Sequence, residues 1–245
     1  MIKVIKKSSI KRPPRAVLRP FPDKLPRMSV RIFEPTADAI ALRLLEIGAI
    51  RLNYEKPFTW SSGWKSPIYC DNRLSLSYPA VRSFVKESLA AVIRQHFPNA
   101  GAVAGVATAG IAQGALVADL LGLPFAYVRP KPKEHGMENL IEGRIEPGKP
   151  VILIEDLVST GGSSLKAATA LKEAGATVAG MAAIFTYGFP IAVQNFEKEN
   201  VDLVCLSDFD HLIRAAIQKK FVQNDQLEHL GRWRLDPGAW APVLS

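Results

Sequence analysis

The chain has 245 residues, of which 48% are hydrophobic and 22% charged, which is enough for one well-buried core. Its apolar runs are shorter than the roughly 18 residues of a membrane span, and no signal-peptide pattern follows the basic N-terminus. We therefore expect a cytoplasmic protein without membrane contact. The two cysteines, Cys70 and Cys205, lack metal-like spacing and are expected to be reduced thiols.

The net charge of +8 is carried by the N-terminal segment. Residues 1–27 contain nine of the 31 basic residues and one of the 23 acidic residues, so residues 28–245 have 22 of each sign. A neutral body lacks the basic face that nucleic-acid binding requires, so no nucleic-acid partner is expected. The five prolines of residues 1–27 predict a disordered extension, which is a tether to an anionic surface, a targeting peptide or a dispensable addition. Residues 28–245 are expected to form a single domain.

Beyond residue 28, helix-like and strand-like patterns alternate. Thr36 is a candidate N-cap for a first helix that ends before Gly48, and a second amphipathic helix covers residues 79–97. Strands are predicted at 102–106, 125–128, 151–154, 178–185 and 203–206, with helices at 110–121, 163–174 and 190–199 and a final helix at 208–220. This alternation predicts an α/β fold, with a mostly parallel central sheet flanked by helices.

A long polar stretch separates the strands at 125–128 and 151–154. Loops longer than about 12–15 residues in a compact domain are usually functional or disordered. Residues 140–145 could pair as a hairpin arm, and the rest is expected to be mobile. Positive donors fall within seven residues at Arg129, Lys131, Lys133 and His135. Such donors stabilise a leaving group of concentrated negative charge, such as pyrophosphate, although a solvated basic loop is the alternative.

The most specific motif is VILIEDLVSTGGSS, residues 151–164. A buried strand ends in the acid pair Glu155 and Asp156, and a turn of small residues then enters a helix. Such a turn presents backbone N–H groups and the positive end of the helix dipole to an anion. Paired carboxylates would repel a bare phosphate but suit the vicinal hydroxyls of a sugar. The segment therefore predicts a ribose 5-phosphate site, with an ordinary strand–turn–helix as the alternative.

Other features are less specific. The strand–helix junction at 105–118 (GVATAGIAQGALVA) could offer backbone N–H groups to pyrophosphate. Trp60 and Trp64 could stack on a flat base or simply pack. The histidines outside the loop lack metal-ligand spacing and are expected at the surface or in helix caps; they are His96, His211 and His229.

Segment 151–164 resembles the phosphoribosyl pyrophosphate signature of the type I phosphoribosyltransferases. Residues 58–73 (FTWSSGWKSPIYCDNR) and 127–136 (YVRPKPKEHG) are similar to the substrate segment and the mobile catalytic loop of the orotate phosphoribosyltransferases within that family. The resemblance covers residues 36–210. It implies a type I phosphoribosyltransferase fold with an N-terminal hood.

The resemblance also implies substrates, a cofactor and residue roles. It implies orotate and phosphoribosyl pyrophosphate as substrates and magnesium as cofactor, with no metal site built from protein ligands alone. Lys133, His135 and Asp156 are the implied catalytic residues, and Ser159 would contact orotate. The implied phosphoribosyl pyrophosphate site comprises Arg129, Lys133, His135, Glu155, Asp156, Leu157, Val158, Ser159, Thr160, Gly161, Gly162 and Ser163. The family further implies a homodimer in which the loop serves the partner's active site.

Two residues depart from the pattern of some family members. Those members have Arg-Lys at the start of the loop, and here Pro130 replaces the lysine after Arg129. They also have a lysine before the Ser-Gly of the substrate segment, and here Ser61 occupies that position. Each change removes one potential phosphate contact, for which Lys131 and Lys65 could partly compensate. A purine phosphoribosyltransferase would keep segment 151–164 but lack the other two segments. An RNA-binding regulator on the same fold is disfavoured by the neutral body.

Overall fold

A mixed sheet of seven strands organises the computed structural model, which describes residues 30–53, 55–60, 62–131, 140–223 and 226–241. Numbered along the chain, its strands lie in the spatial order β1 (Val30–Ile32), β11 (Leu203–Asp208), β10 (Thr177–Thr186), β9 (Pro150–Val158), β6 (Ala102–Val106), β7 (Phe125–Val128) and β8 (Ile141–Glu142). Neighbouring strands are parallel except for the pair β7–β8. The mostly parallel α/β fold expected from the sequence is confirmed.

Helices cover both faces of this sheet. They are α1 (Glu34–Glu46), α2 (Pro79–His96), α3 (Ala109–Leu121), α4 (Gly162–Glu173), α5 (Pro190–Lys198), α6 (Phe209–Gln218) and α7 (Leu227–Leu235). Alternate residues of β9 enter two apolar clusters: Ile152 and Ile154 face one, Val151 and Leu153 the other. All four are fully buried, which explains why this strand is a continuous apolar run. None of the helices in the described ranges combines the length and hydropathy that a bilayer crossing requires.

The order of the strands creates a switch point between β9 and β6. From β6 the chain proceeds outward to β7, whereas from β9 it proceeds in the opposite direction to β10 and β11. In open α/β sheets, ligands bind at the carboxyl ends of the strands on either side of such a point. The carboxyl ends of β9 and β6 are therefore where the fold favours a site.

A small hood lies between α1 and α2. It contains two antiparallel pairs, β2 (Ile50–Leu52) with β5 (Ile68–Cys70) and β3 (Phe58–Thr59) with β4 (Lys65–Ser66). A 3₁₀ helix, Asn72–Ser77, follows directly. The sequence predicted this region as a substrate segment but did not predict its strands.

Two sequence-based expectations are wrong. The helix α1 begins at Glu34, so Thr36 is not its N-cap: a proline in the first turn allows the earlier start. His211 is buried but takes part in the N-cap of α6, one of its two expected locations: Asp208 accepts its backbone N–H at 3.0 Å and lies 2.7 Å from a ring nitrogen. The helix predicted at 208–220, observed as α6, is followed by α7 and is not the last. The proposed extension 1–27 and the domain start at Met28 lie outside the described residues.

The helix α7 contributes the largest fully buried side chain, that of Trp233. Its ring lies 5.2–5.8 Å, centroid to centroid, from those of Trp60, Tyr187 and Phe189. Trp60 also donates its indole N–H to the carbonyl of Ile68, 3.2 Å away. Of the two roles considered for Trp60, the structure therefore shows packing, and the hood is joined to the C-terminal helix through aromatic contacts.

We expect Trp233→Ala to lower the free energy of unfolding by about 3–5 kcal/mol, because it leaves a large cavity among packed rings. Urea unfolding followed by circular dichroism measures the change. Leu235→Ala is the matched control in the same helix: this side chain is 67% exposed, so a change within about 0.5 kcal/mol is expected. Equal effects of the two substitutions would show that α7 is not anchored by its tryptophan.

Candidate active site

The acid pair lies at the carboxyl end of β9, beside the switch point. Glu155 is buried, and its two carboxylate oxygens accept hydrogen bonds from the backbone N–H of Asp156 (3.0 Å) and the hydroxyl of Ser164 in α4 (2.7 Å). Successive side chains of a strand point to opposite faces, so Asp156 is directed away from α4. It is only partly buried. Asp156 is therefore the member of the pair that remains more accessible to a ligand.

Burial and mutual repulsion control the charge of the pair. Desolvation raises the pKa of Glu155 well above its usual value, and the neighbouring negative charge of Asp156 raises it further, although the Ser164 hydroxyl favours the ionised form. Burial also raises the pKa of Asp156, while hydrogen bonds and the positive charge of Arg73 oppose that shift. The pair therefore holds a proton more readily than two exposed carboxyls would.

Polar side chains from other elements donate hydrogen bonds to the backbone carbonyls of the turn after the acid pair. Asn195 donates its amide N–H to the carbonyl of Thr160 (2.9 Å), and the hydroxyl of Thr186 donates to the carbonyl of Val158 (3.0 Å). Gly161 has φ +81°, and a Cβ there would lie 2.7 Å from the ring of Phe196. Glycine is thus required at this position for two reasons: its positive φ and the absence of a side chain.

The start of α4 faces solvent. Gly162 and Ser163 are exposed. The N-cap residue is Gly161, so no side-chain hydrogen bond caps the first turn. The first N–H groups of a helix have no intrahelical partner and carry the positive end of its dipole. This combination can bind an anion, as the sequence indicated.

The helix α3 begins immediately beside the acid strand. A side chain at Gly110 would collide with the carbonyl oxygen of Ile154, so the first turn of α3 can approach β9 only because this residue is glycine. The strand–helix junction at 105–118 therefore lies next to the acid pair, in the position that its weaker motif suggested.

The 3₁₀ helix of the hood is joined to the same strand. The side chain of Asn72, 1% exposed, donates its amide N–H to the backbone carbonyl of Asp156 at 2.6 Å. Its amide oxygen accepts from the thiol of Cys70 at 3.3 Å. A second connection runs from Gln113 of α3 to the hydroxyl of Ser75, at 3.2 Å. These bonds fix the hood segment against β9 and α3.

The basic loop leaves from the carboxyl end of β7. The backbone N–H of Arg129 donates to the carbonyl of Leu140 (2.7 Å), and its guanidinium lies 3.6 Å from the carboxylate of Glu142. The hairpin arm predicted at 140–145 is thus confirmed as β8, which pairs with β7. Lys131 is exposed. Lys133 and His135 lie outside the described residues, as does Ser61.

Comparisons with known proteins agree with this arrangement. A model of the phosphoribosyl transferase domain matches residues 77–210. The chain is 55% identical over 201 residues to the orotate phosphoribosyltransferase of Cytophaga hutchinsonii and 56% identical over 201 residues to that of Porphyromonas gingivalis. Each alignment covers 82% of this chain and 96% of the relative. The chain belongs to the orotate phosphoribosyltransferase family.

Solved structures share the fold. The orotate phosphoribosyltransferase of Aeropyrum pernix superposes with a TM-score of 0.66 at 29% identity, covering 75% of this chain and 99% of that one. The UMP synthase of Leishmania donovani gives a TM-score of 0.67 at 25% identity, covering 80% of this chain but only 42% of the other. The type I phosphoribosyltransferase fold expected from segment 151–164 is therefore confirmed.

The sequence did not predict the roles of several residues that hold the elements around the acid pair in place. Asn72, Gln113 and Asn195 hold the hood and the turn through side-chain bonds to distant parts of the chain. Isolated amides carry no periodic signal, and their partners are separated by 35 to 84 residues. The quoted segment 58–73 contained Asn72, but nothing in its spacing indicated a bond to Asp156.

The thiol of Cys70 reports on the charge of this site. Burial raises its pKa well above the usual value, and the negative charges of Asp156 and Asp71 raise it further. We therefore expect slow alkylation by iodoacetamide at pH 8, since the thiolate is the reactive form. Asp156→Asn should accelerate alkylation severalfold by removing one of those charges.

Peptide mass spectrometry of the labelled protein measures the rate at Cys70. The control is Asp38→Asn, which removes an exposed carboxylate that is paired with Arg214. It should leave the rate unchanged. An unchanged rate in Asp156→Asn would mean that the thiol does not sense the acid pair.

Proposed function

We propose that the chain transfers ribose 5-phosphate from phosphoribosyl pyrophosphate to orotate, giving orotidine 5'-monophosphate and pyrophosphate. The ring nitrogen of orotate loses its proton to solvent and forms a bond to the anomeric carbon as the bond to the pyrophosphate oxygen breaks. The observation that carries this proposal is the accessible carboxylate of Asp156 beside the exposed first turn of α4. This arrangement provides an acceptor for sugar hydroxyls next to an anion site.

Each part of the site has a role in this reaction. Asp156 accepts hydrogen bonds from the ribose hydroxyls, and the buried Glu155 holds the turn through Ser164. The backbone and hydroxyls of Ser159 to Ser163 bind the 5-phosphate, and Ser159 also contacts orotate. The protein needs no covalent nucleophile, because its task is to position the substrates and to stabilise developing charge.

The loop neutralises the leaving group. Arg129, Lys133 and His135 contact the pyrophosphate as its charge develops, and the junction at the start of α3 adds backbone N–H groups. Closure of the loop excludes water, which would otherwise compete with orotate for the anomeric carbon. The bond between Arg129 and Leu140 supports this role because it sets a fixed base for the segment between them.

Magnesium is the proposed cofactor. Among the described residues, no group of three or more acidic, histidine or cysteine side chains could hold a metal ion alone. Magnesium usually keeps waters and substrate phosphates as ligands and takes one or two carboxylates, which fits a site where Asp156 is the accessible acid. When bound with the substrate, the ion would offset the negative charge of the pyrophosphate.

The reaction is tested with a panel of bases. With phosphoribosyl pyrophosphate and magnesium present, orotate should be consumed far faster than adenine, guanine, hypoxanthine or uracil. Loss of orotate absorbance and chromatography of the other bases give the rates. Comparable turnover of a purine would indicate a purine phosphoribosyltransferase and refute the assignment.

The role of Asp156 is tested by Asp156→Asn. The amide keeps the shape but loses the charge, and a hydrogen bond to a charged group contributes about 1.5–3 kcal/mol. We therefore expect kcat/KM for phosphoribosyl pyrophosphate to fall roughly 10- to 100-fold. The matched control is Asp202→Asn at the far side of the sheet, where the carboxylate is exposed and paired with Arg31. Unchanged kinetics in Asp156→Asn would show that the sugar does not contact this residue.

The shared loop is tested by mixing two variants of low activity. We propose a homodimer in which each loop serves the partner's site. Lys133→Ala damages the loop and Asp156→Asn damages the ribose site, so a mixed dimer would place both lesions in one site and leave the other intact. Co-refolding at equal ratio should restore about a quarter of wild-type activity if pairing is random. A sample proven to contain mixed dimers but showing no recovery would mean that each loop serves its own site.

A further inference from the structure

One cation of the hood is held in a fixed orientation beside the acid strand. Arg73 donates from Nε to Asp71 Oδ1 (2.6 Å) and from Nη2 to Asp71 Oδ2 (3.0 Å), a two-point contact that fixes the plane of its guanidinium. The same carboxylate accepts the backbone N–H of Arg73 at 3.2 Å and so caps the 3₁₀ helix. The side chain nevertheless remains 59% exposed.

The backbone that carries Arg73 is attached to the ribose site. Its neighbour Asn72 is bonded to the carbonyl of Asp156, and Gln113 holds the same 3₁₀ helix through Ser75. Burial raises the pKa of Asp156, and the positive charge of Arg73 is near enough to oppose that rise. Arg73 is thus a rigid, accessible cation at the edge of the site.

Three other cations of the hood and its surroundings make contacts within this region of the fold. Arg51 lies over the rings of Phe58 and Tyr69, with its guanidinium carbon 5.6 and 5.0 Å from their centroids. Lys65 donates to the hydroxyl of Thr59 at 2.7 Å, and Arg82 donates to the carbonyl of Leu76 at 3.0 Å. In contrast, Nη1 of Arg73 makes no hydrogen bond to any residue that the structure describes.

The chemistry of the proposed base requires such a cation. Orotate carries a carboxylate on the ring carbon next to the nitrogen that becomes bonded to ribose. This carboxylate therefore lies close to the sugar, and so close to the residue that holds the sugar hydroxyls. Uracil has the same ring but no carboxylate. A site that prefers orotate needs a positive donor beside the ribose acids.

We propose that Arg73 binds the carboxylate of orotate and sets the preference of the site for this base over uracil. The inference rests on the proposed function, since it concerns how the same site selects its substrate. Asp71 is a positioning residue, because it acts by orienting the guanidinium. Guanidinium and carboxylate match in shape and charge, so this contact recognises the group that distinguishes orotate from uracil.

The test compares Arg73→Gln with Arg73→Lys. In Arg73→Gln we expect KM for orotate to rise about 10- to 100-fold, because a charge-assisted hydrogen bond is lost, while KM for phosphoribosyl pyrophosphate stays within about twofold. Arg73→Lys should recover part of the loss, since it keeps the charge without the planar fork. Arg214→Gln, an arginine of 58% exposure paired with Asp38 on the outer surface, is the matched control and should behave as wild type.

A product-inhibition measurement separates binding from structural damage. Orotidine 5'-monophosphate carries the carboxylate and uridine 5'-monophosphate lacks it, and both are assayed as inhibitors of the forward reaction. Arg73→Gln should weaken inhibition by the first about 10- to 100-fold and leave inhibition by the second unchanged. Equal weakening of both, or a matching rise in KM for phosphoribosyl pyrophosphate, would overturn the proposal. If Arg73→Gln does not fold, the same comparison in Arg73→Lys decides.

The outcome for the wild type distinguishes the two proposals. If the wild type consumes orotate and Arg73→Gln retains its KM for orotate, only the role of Arg73 fails. If the wild type does not consume orotate, the proposed function fails and the role of Arg73 fails with it. A loss confined to ligands that carry the carboxylate supports both.

Discussion

The hydrogen bond between the buried carboxylate of Glu155 and the hydroxyl of Ser164 ties the end of β9 to the first turn of α4. A buried carboxylate without a partner is costly, so this bond makes the acid pair compatible with the core. It also fixes the distance between the strand end and the helix N-terminus. In the proposed reaction one ligand bridges the strand end and the helix start, and this contact sets the spacing between them.

The central sheet and its covering helices could be predicted from the sequence because strands buried on both faces are continuous apolar runs, which alternate along the chain with amphipathic helices. The strands β6 and β7 fall at the predicted residues, and the ends of β9, β10 and β11 extend the predictions by up to four residues. Those extensions contain polar residues, such as Asp156 of the acid pair and Asp208, the N-cap of α6, which an apolar pattern cannot include. The acid pair and the glycine turn were found because their residue types are costly in any other role.

The parts that were missed depend on tertiary contacts. The strands β3 and β4 have two residues each, too few to show an alternating pattern, and Trp60, which directly follows β3, packs on Tyr187 from a distant part of the chain. In α7, Leu230 and Trp233 are buried, so the helix shows one apolar turn rather than a stripe. The roles of Asn72 and Asn195 arise from single hydrogen bonds across the fold. Such bonds become visible only once the elements are assembled.

The aromatic cluster gives the protein a built-in optical signal. Trp60 of the hood and Trp233 of the C-terminal helix have ring centroids 5.8 Å apart, and both contact Tyr187, a residue at the end of the sheet whose phenol senses the charge of Asp156. Indole emission depends on the electric field and on the rigidity of its surroundings. A change in the position of the hood therefore alters the surroundings of two indoles and can be followed without an added dye.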